Sequence, residues 1–488
     1  MAFFDTLFGA INDLTWGWAL VPFLVVLGVF FTIASGFVQF RWFGRMFGVL
    51  RGDEATSDPT KISAREALFV SVGGRVGGGN IAGVAVAITA GGPGAVFWMW
   101  AIALIGMCSA LIEATLAQVY KRTEADGTYR GGPARAIVHG LGANYRWLAV
   151  IYAVCLIASF AIGFNAFQGN TVAGAVLDST GIPRIATGVV LALATAFIVW
   201  GGIHRIAKAA DVIIPVMAFG YIGLAVLVIL LNLTSLPGVI VDIVANAFGL
   251  REAVAGGMGA AISQGLRRGL FSNEAGLGSA PNVAATAYVR HPVSQGITQS
   301  FSVFIDTILI CSCTAFVILL GDVYQPGAEG VDGVILTQQS LVGHMGGWVQ
   351  YYLTVAILLF SFSSIMYNYY LGENALSFMT ESPVALQVLR VAIVGIVLLG
   401  AVAPGATAVF AFSDPMMGIL AVVNLLALTM LFPIALRVIR DFQAQLRAGV
   451  AKPVFDPLAF PDLDTDPTAW PDAPGARVAR SGTAVPAE

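Results

Sequence analysis

Long runs of apolar residues, separated by short polar stretches, dominate the chain. A helix that crosses a hydrocarbon core of about 30 Å needs roughly 20 apolar residues. Eleven runs approach this length, so the pattern predicts eleven transmembrane helices. They are Trp16–Val38, Ala64–Thr89, Gly94–Tyr120, Trp147–Leu177, Ile185–Trp200, Ala207–Asn232, Ala255–Ala287, Gln295–Leu320, Trp348–Ser377, Val384–Val402 and Pro415–Leu436.

Composition supports an all-α integral membrane protein. Hydrophobic residues make up 57% of the 488 residues and charged residues only 11%, which does not suit a water-exposed surface. The basic residues are scattered between the apolar runs, so we expect no nucleic-acid partner. The four cysteines lie inside apolar runs without the spacing of a zinc site, so we expect no metal other than a transported ion, and no cofactor.

Lysine and arginine positions predict the orientation. Cytoplasmic loops carry an excess of basic residues. Twenty of the 25 basic residues fall on one side of an alternating topology, ten of them in the first two loops of that side. We therefore expect a multi-pass protein of the inner membrane with its N-terminus outside and its C-terminus in the cytoplasm.

Two of the predicted spans contain residues that suit a membrane helix poorly. Span two holds five glycines between residues 73 and 80. Span seven holds Arg267, Arg268 and Glu274 at a similar depth. Glycine weakens helical structure, and charged groups are costly in lipid. We therefore predict that both helices are interrupted within the membrane.

The two interrupted segments resemble each other at an offset of 193 residues. Arg75 corresponds to Arg268, and Asn80 corresponds to Asn273. Because this offset contains five spans, the second unit would be inverted relative to the first, as in transporters with binding sites between paired broken helices. The alternative is that these Gly and Ala residues only allow close helix packing.

Several longer motifs carry a resemblance to a known family. They are Gly79-Asn-Ile-Ala-Gly83, Gly91-Gly-Pro-Gly-Ala-Val-Phe-Trp-Met-Trp100, Phe271-Ser-Asn-Glu-Ala-Gly-Leu-Gly-Ser-Ala-Pro281 and Phe304-Ile-Asp-Thr307. From Trp16 to Arg440 the chain closely resembles the alanine/glycine:cation symporter family. The resemblance implies sodium- or proton-coupled transport of a small amino acid such as alanine or glycine, without enzymatic chemistry.

The resemblance also implies a leucine-transporter (LeuT) type fold, with a five-plus-five inverted repeat. We expect an extra helix and a cytoplasmic interfacial segment in residues 1–62. The repeats would cover residues 63–232 and 233–440. Residues 441–488, rich in Pro, Asp and Ala towards their end, are predicted to form a disordered cytoplasmic tail.

By the same resemblance, the substrate carboxylate would bind backbone amides of the first interruption, and other residues would close the pocket and hold the amino group. This agrees with the affinity of helix N-termini for anions. An interhelical hydrogen bond is an equally weighted alternative for Gln168 and for Asn165. The expected substrate residues are Gly78, Gly79, Asn80, Gln168, Phe271 and Asn273.

The resemblance implies one sodium site as well. Carbonyl groups of Gly73 and Val76 would face the hydroxyl groups of Ser363 and Ser364. Oxygen ligands suit a hard cation. The alternative is that the serines only hydrogen-bond within their own helix.

Two positions depart from the family pattern, which usually reads Gly-Thr-Val-Gly-Thr-Gly-Asn. This chain has Arg75 and Gly78 in place of the threonines. We hypothesise that Arg75 pairs with Glu274 or Asp306, or that it binds a second carboxylate of a larger substrate. Gly78 would enlarge the pocket, so a different amino acid is an open alternative.

Three other functions are weighed against sodium symport. Proton coupling is open, because Glu113, Glu274 or Asp306 could carry a proton. An intramembrane enzyme would need a nucleophile and base at one depth, but all four histidines fall in connections between spans. A channel would need symmetric pore elements, whereas the two interruptions lie at pseudo-symmetric positions of one chain.

Overall fold

The computed structural model describes residues 14, 16, 20–52, 58, 61–250, 257–325, 333–403 and 407–473. Apolar runs form helices here because a helix satisfies its own backbone hydrogen bonds. The α-helices of the first half are α1 Leu20–Ala34, α2 Val38–Arg41, α3 Phe43–Met46, α4 Ala64–Arg75, α5 Val84–Gly91, α6 Gly94–Val119, α7 Pro133–Leu141, α8 Arg146–Leu156, α9 Asn165–Thr180, α10 Arg184–Val199, α11 Gly202–Leu231 and α12 Leu236–Ala247.

The second half continues in the same way. Its α-helices are α13 Gly257–Asn273, α14 Ala280–Ala284, α15 Pro292–Val303, α16 Ser312–Leu319, α17 Gly333–Met345, α18 Trp348–Met379, α19 Pro383–Val402 and α20 Thr407–Arg447. The π-helical segments are Gly79–Gly83, Ile157–Phe164 and Phe304–Cys311. Short 3-10 helices cover Val49–Arg51, Ala143–Tyr145, Pro457–Ala459 and Pro467–Ala469.

Four two-residue strands form two isolated pairs, and each strand lies in a connection between helices. β1 Ile62–Ser63 pairs in parallel with β4 Ala287–Tyr288. β2 Arg122–Thr123 pairs antiparallel with β3 Tyr129–Arg130. The first pair places the start of α4 beside the segment that follows α14.

Within the described residues, seven helical segments are long and apolar enough to cross a membrane. They are Gly94–Val119, Ala143–Thr180, Gly202–Leu231, Pro292–Leu319, Trp348–Met379, Pro383–Val402 and Ser413–Arg447. The other four predicted spans coincide with shorter helices, namely α1, the pair α4 and α5, α10, and α13 with α14. The total of eleven spans therefore stays a prediction.

The long helices pack in two groups. In one group α6 packs against α13 and α15. In the other, α9 and α10 pack against α19, and α9 also packs against α18. The first broken helix joins the groups, because α4 contacts α15 of the first group and α18 of the second. Both interruptions therefore lie in the protein interior.

The segment expected along the membrane interface packs partly against the helices. It forms α2, α3 and one 3-10 turn. The ring of Phe43 lies 5.0 Å from that of Phe304, and the ring of Phe47 lies 4.9 Å from that of Phe301.

The prediction of a disordered tail is wrong for residues 441–473. Helix α20 extends to Arg447, and residues 448–473, here called the C-terminal strap, fold back onto the protein. Phe455 is fully buried and Trp470 is 1% exposed. A composition rich in Asp and Pro is typical of disorder, but here the aromatic side chains find buried positions. Residues 474–488 lie outside the described residues.

Candidate functional site

The prediction of an interrupted second span is confirmed. Helix α4 begins with a capping box between Ser63 and Glu66 and ends at Arg75. Val76 is extended, and helical structure resumes at Gly79 as a π-helical turn. Because the first N–H groups of a helix lack partners within it, this turn presents free amide groups and the positive end of a helix dipole.

Glycine is required in this interruption for close approach to α18. A Cβ atom at Gly74 would lie 2.2 Å from the ring of Tyr367, so no side chain fits there. A Cβ atom at Gly78 would meet nothing closer than 3.4 Å, from Phe167 and Thr171. Gly74 therefore serves packing, whereas Gly78 leaves space in front of the backbone.

The predicted interruption of span seven is also confirmed. Helix α13 ends at Asn273, and Glu274 adopts a left-handed conformation with φ of 53°. This conformation is strained for a residue with a side chain. The Glu274 carboxylate accepts hydrogen bonds from Tyr367 at 2.9 Å and from Ser279. These bonds fix the chain in its strained turn.

Asp306 connects the two interruptions. Asn80 of the first donates from Nδ2 to Asp306 Oδ1 at 2.6 Å. Ser272 of the second donates to Asp306 Oδ2 at 2.8 Å, and Thr307 donates to the same oxygen at 2.7 Å. Asn80 also accepts from the Gly77 amide at 3.0 Å. This Asp306 cluster, formed by Asn80, Ser272, Asp306 and Thr307, is buried. Asp306 and Thr307 lie in the π-helical segment Phe304–Cys311.

Arg75 makes its direct contacts with α15 rather than with Glu274 or Asp306, the partners that we hypothesised. Arg75 is 3% exposed and donates to the Gln299 carbonyl at 3.4 Å and to Ser302. Among the described residues, neither carboxylate forms an ion pair with it. Both hydrogen bonds come from Nη1, and the buried Nε and Nη2 atoms have no hydrogen-bond partner among the described residues.

The residues of the expected sodium site lie partly together. Ser363 donates to the Gly73 carbonyl at 2.9 Å, and Ser364 donates to the same carbonyl at 3.1 Å. Ser364 also donates to the Gly74 carbonyl at 3.2 Å, an acceptor that the sequence did not single out. No described hydrogen bond joins Val76 to either serine. Both serines also bond within their own helix, to the Phe360 carbonyl.

A cavity of about 640 Å³ lies beside the first interruption. Gly78 and Gly79 line it together with Phe271, as the sequence predicted for a substrate pocket. Phe167 and Thr171 of α9 line it as well, although the sequence did not single them out. Phe167 and Thr171 lie four residues apart, on one face of α9 beside Gln168, and this helical spacing could have identified them.

The remaining predicted substrate residues lie behind the cavity wall. Asn80 belongs to the Asp306 cluster, and the Asn273 side chain caps the second interruption by accepting from the Ala275 amide at 3.0 Å. Gln168 is 4% exposed, and its amide nitrogen lies 3.3 Å from where a Cβ atom of Gly77 would be. Asn165 accepts a hydrogen bond from Asn368 at 3.3 Å, which is the interhelical alternative.

The cavity extends towards one end of the broken helices. Its lining follows α5 rather than α4 and reaches the surface at the exposed Asp178. At the α4 end, Asn374 donates to Asn282 at 2.7 Å and to the Gly131 carbonyl at 2.8 Å. These three residues, here called the Asn282–Asn374 seal, lie at the opposite end from the cavity.

Comparison with known proteins gives a consistent result. Residues 1–457 match the sodium:alanine symporter family. Amino-acid carrier protein AlsT of Bacillus subtilis is 44% identical over 96% of this chain and 98% of its own. A probable sodium/glutamine symporter, GlnT, of the same organism is 44% identical over 93% of each. A sodium/proton-dependent alanine carrier of Bacillus sp. (strain PS3) is 33% identical over 80% of this chain and 91% of its own.

Among solved structures, a manganese transporter mutant from Eremococcus coleocola aligns with 77% of this chain and 78% of its own. Its sequence identity is 14% and the TM-score is 0.49. A similarity of this size carries no argument about the cargo or the mechanism.

Proposed function

Because the chain belongs to the sodium:alanine symporter family, whose members are transporters rather than enzymes, we propose that it imports a small neutral amino acid, alanine or glycine, together with sodium. This multi-pass membrane protein is a cation-coupled amino acid symporter by its family. The proposal adds the substrate, the ion and the residues that bind them. It also adds the LeuT-type arrangement of eleven helices in two inverted repeats.

One observation carries the proposal: unpaired helix ends of the first interruption face a cavity. Gly78 and Gly79 lie at the cavity wall without side chains to cover their amides. A carboxylate is bound well by such amides and by the positive end of a helix dipole. The aromatic rings of Phe167 and Phe271 would then enclose the apolar part of a small amino acid.

We assign the sodium ion to the Gly73 carbonyl and the hydroxyls of Ser363 and Ser364. These oxygens already lie within hydrogen-bonding distance of one another. A cation there would replace weak hydroxyl–carbonyl bonds by ion–oxygen contacts and would tie α4 to α18. Sodium binding would in this way order the interruption that also binds the amino acid. Coupling between the two ligands then follows as a reciprocal binding free energy.

Transport would proceed by alternating access. If α5 faces the outside, as the basic residues of the loops predict, the cavity is open to the outside and the Asn282–Asn374 seal closes the cytoplasmic side. The Asp306 cluster would keep the two interruptions together while the surrounding helices rearrange. Release to the cytoplasm would require the seal to open.

Two alternatives have specific support. The cavity of about 640 Å³ has room for a longer side chain than that of alanine, and a relative is named a probable sodium/glutamine symporter. Another relative is named as sodium/proton-dependent, which supports a proton as coupling ion. Glutamine and a proton are therefore the competing substrate and ion.

Uptake of radiolabelled amino acids into proteoliposomes tests the proposal. Sodium and proton gradients are imposed separately, and alanine, glycine and glutamine are compared. We expect saturable alanine or glycine uptake that requires an inward sodium gradient. Uptake of glutamine alone would contradict the proposed substrate, and uptake that needs only a proton gradient would contradict the proposed ion.

A further inference from the structure

The C-terminal strap contains the same seven-residue motif twice. Asp-Pro-Leu-Ala-Phe-Pro-Asp covers residues 456–462, and Asp-Pro-Thr-Ala-Trp-Pro-Asp covers residues 466–472. Five of the seven positions are identical, and a sixth is aromatic in both copies. The repeat predicts that both copies adopt one conformation and make one kind of contact.

Both copies do adopt the same conformation. The first Asp of each copy accepts a hydrogen bond from the amide two residues later, at 3.1 Å for Asp456 and 2.9 Å for Asp466. The following Pro begins a 3-10 turn, which suits its fixed φ. The chain leaves each turn at the aromatic residue, with φ of −129° at Phe460 and −122° at Trp470. Each turn thus presents an aromatic ring followed by a carboxylate.

The first copy binds Arg437 of α20. The guanidinium lies 5.5 Å from the ring centre of Phe460. Its two terminal nitrogens donate to the carboxylate of Asp462 at 2.6 and 2.8 Å. Aromatic ring and carboxylate therefore contact one cation, which is the geometry of a cation–π contact combined with a bidentate ion pair.

The second copy also places its ring on a cation, at the end of α6, but its carboxylate contacts other residues. Lys121 is fully buried, and its ammonium lies 4.3 Å from the ring centre of Trp470 and 4.2 Å from that of Tyr129. Asp472 accepts a hydrogen bond from Tyr288 and lies 4.0 Å from Arg290. A lysine enclosed by two aromatic rings is a stronger anchor than the exposed Arg437, because desolvation strengthens a cation–π contact.

The residues between the two copies add contacts to the same surface. Asp464 pairs with Arg122 at 2.8 Å and with His139 at 2.5 Å. The Thr123 amide donates to Asp466 at 2.8 Å. Before the first copy, the Phe455 amide donates to the Arg290 carbonyl at 2.9 Å. The strap is therefore bound along its length.

These contacts join parts of the molecule that lie far apart in sequence. Lys121 and Arg122 follow α6, Arg290 follows the second interruption, and Arg437 belongs to α20. The strap lies at the end where β1 and β4 pair, and Asn282 of the seal lies five residues before that strand. It therefore ties together the connections that surround the closed side of the site.

We propose that the C-terminal strap is an intramolecular ligand of the cytoplasmic face, and that at least its second copy must undock before the site opens to the cytoplasm. The binding surface recognises an aromatic ring followed by an acidic side chain, supplied by this chain itself. A docked strap holds the transporter with its cavity open to the outside. This inference rests on the alternating-access transport proposed above.

A disulfide across the docked contact tests the requirement for undocking. Thr123 and Thr468 touch through their hydroxyl groups, which are 2.9 Å apart. In the double variant Thr123→Cys/Thr468→Cys, oxidation would lock the second copy, while the four native cysteines are buried. We expect sodium-driven uptake in proteoliposomes to fall at least about tenfold on oxidation and to return with reductant. The single variant Thr468→Cys is the control.

The outcomes separate this inference from the proposed function. If the reduced double variant and the wild type transport no amino acid, the proposed function fails. If the oxidised protein contains the disulfide and transports as fast as the reduced protein, the strap stays docked through the cycle and the inference is wrong.

A second experiment does not depend on the disulfide. Val86 lines the cavity, so Val86→Cys reports access from outside through its rate of labelling by a membrane-impermeant maleimide. Adding Trp470→Ala should release the strap and slow this labelling a few-fold, because the outward-open population falls. Leu458, 71% exposed within the first copy, gives the matched control Leu458→Ala, which should leave the rate unchanged. Equal rates in both variants, with both folded, would overturn the inference.

Discussion

The two helix interruptions achieve a similar break by different chemistry. The first is built from glycine, so bare backbone faces the cavity at Gly78 and Gly79. The second is built around Glu274, whose strained turn is held by hydrogen bonds from Ser279 and Tyr367. This difference in chemistry indicates that the two interruptions have different roles. The first interruption suits ligand binding, and the second suits a fixed support against which the first is positioned.

The strongest test of this contrast compares two glycines of the first interruption. Gly74→Ala would place a methyl group 2.2 Å from the Tyr367 ring, and such overpacking costs roughly 1–3 kcal/mol. We expect a lower melting temperature in detergent and nearly complete loss of uptake. Gly78→Ala is the matched control, because its nearest neighbours lie at 3.4 Å. It should keep the melting temperature and shift selectivity towards smaller amino acids. Equal damage by both changes would contradict the contrast.

The Asp306 cluster gives the next largest effect. In Asp306→Asn, one carboxylate oxygen becomes an amide donor that faces Asn80 or Ser272, which are donors themselves. Losing hydrogen bonds to such a group costs about 1.5–3 kcal/mol. We expect uptake to fall more than tenfold, measured as initial rate in proteoliposomes. Glu274→Gln also replaces a carboxylate by an amide, but within the second interruption only. It should therefore lower the uptake rate less than Asp306→Asn does. A larger loss in Glu274→Gln would refute the connecting role of Asp306.

Arg75→Thr should moderately change the sodium dependence of uptake and leave the substrate selectivity unchanged. Arg75 contacts Gln299 and Ser302 and is not among the residues that line the cavity. Competition by alanine, glycine and dicarboxylic amino acids should therefore keep its wild-type pattern. Removing a cation close to Gly73 should lower the half-saturating sodium concentration a few-fold. A new preference for or against dicarboxylic amino acids would show that Arg75 binds the substrate.

The smallest expected effect concerns pH and the strap. Burial acts to raise the pKa of Asp464, but hydrogen bonds from His139 and Arg122 lower it below its ordinary value. A lowered pKa means that this contact stabilises docking at neutral pH and is lost as pH falls below about 4. Fluorescence anisotropy of a dye on Leu458→Cys should drop in that range. With Asp464→Asn added, this drop should become smaller, because Asp462 and Asp466 of the strap also have lowered pKa values and still titrate. A drop that persists unchanged would assign the transition to another group.

Both interruptions could be located from the sequence, because glycines and charged residues in the middle of an apolar run seldom suit a continuous membrane helix. The partner of Arg75 was misplaced, since the direction of a guanidinium depends on which helix packs alongside. Thr171 and Ser272 were missed, because hydroxyl groups are common on membrane helices. Their roles depend on which residues pack beside them, and the sequence does not show this. The C-terminal strap was predicted as disordered from its composition, although the repeated motif was visible in the sequence.

Backbone hydrogen exchange, measured by mass spectrometry on peptides that cover residues 73–83, is the direct test of ligand binding at the first interruption. The protein is compared in potassium, in sodium, and in sodium with saturating alanine. The account predicts partial protection of these amides in sodium and further protection when alanine is added, with no protection by alanine in potassium. Unchanged exchange in all three conditions, while radiolabelled alanine is taken up by the same preparation, would contradict binding at the first interruption.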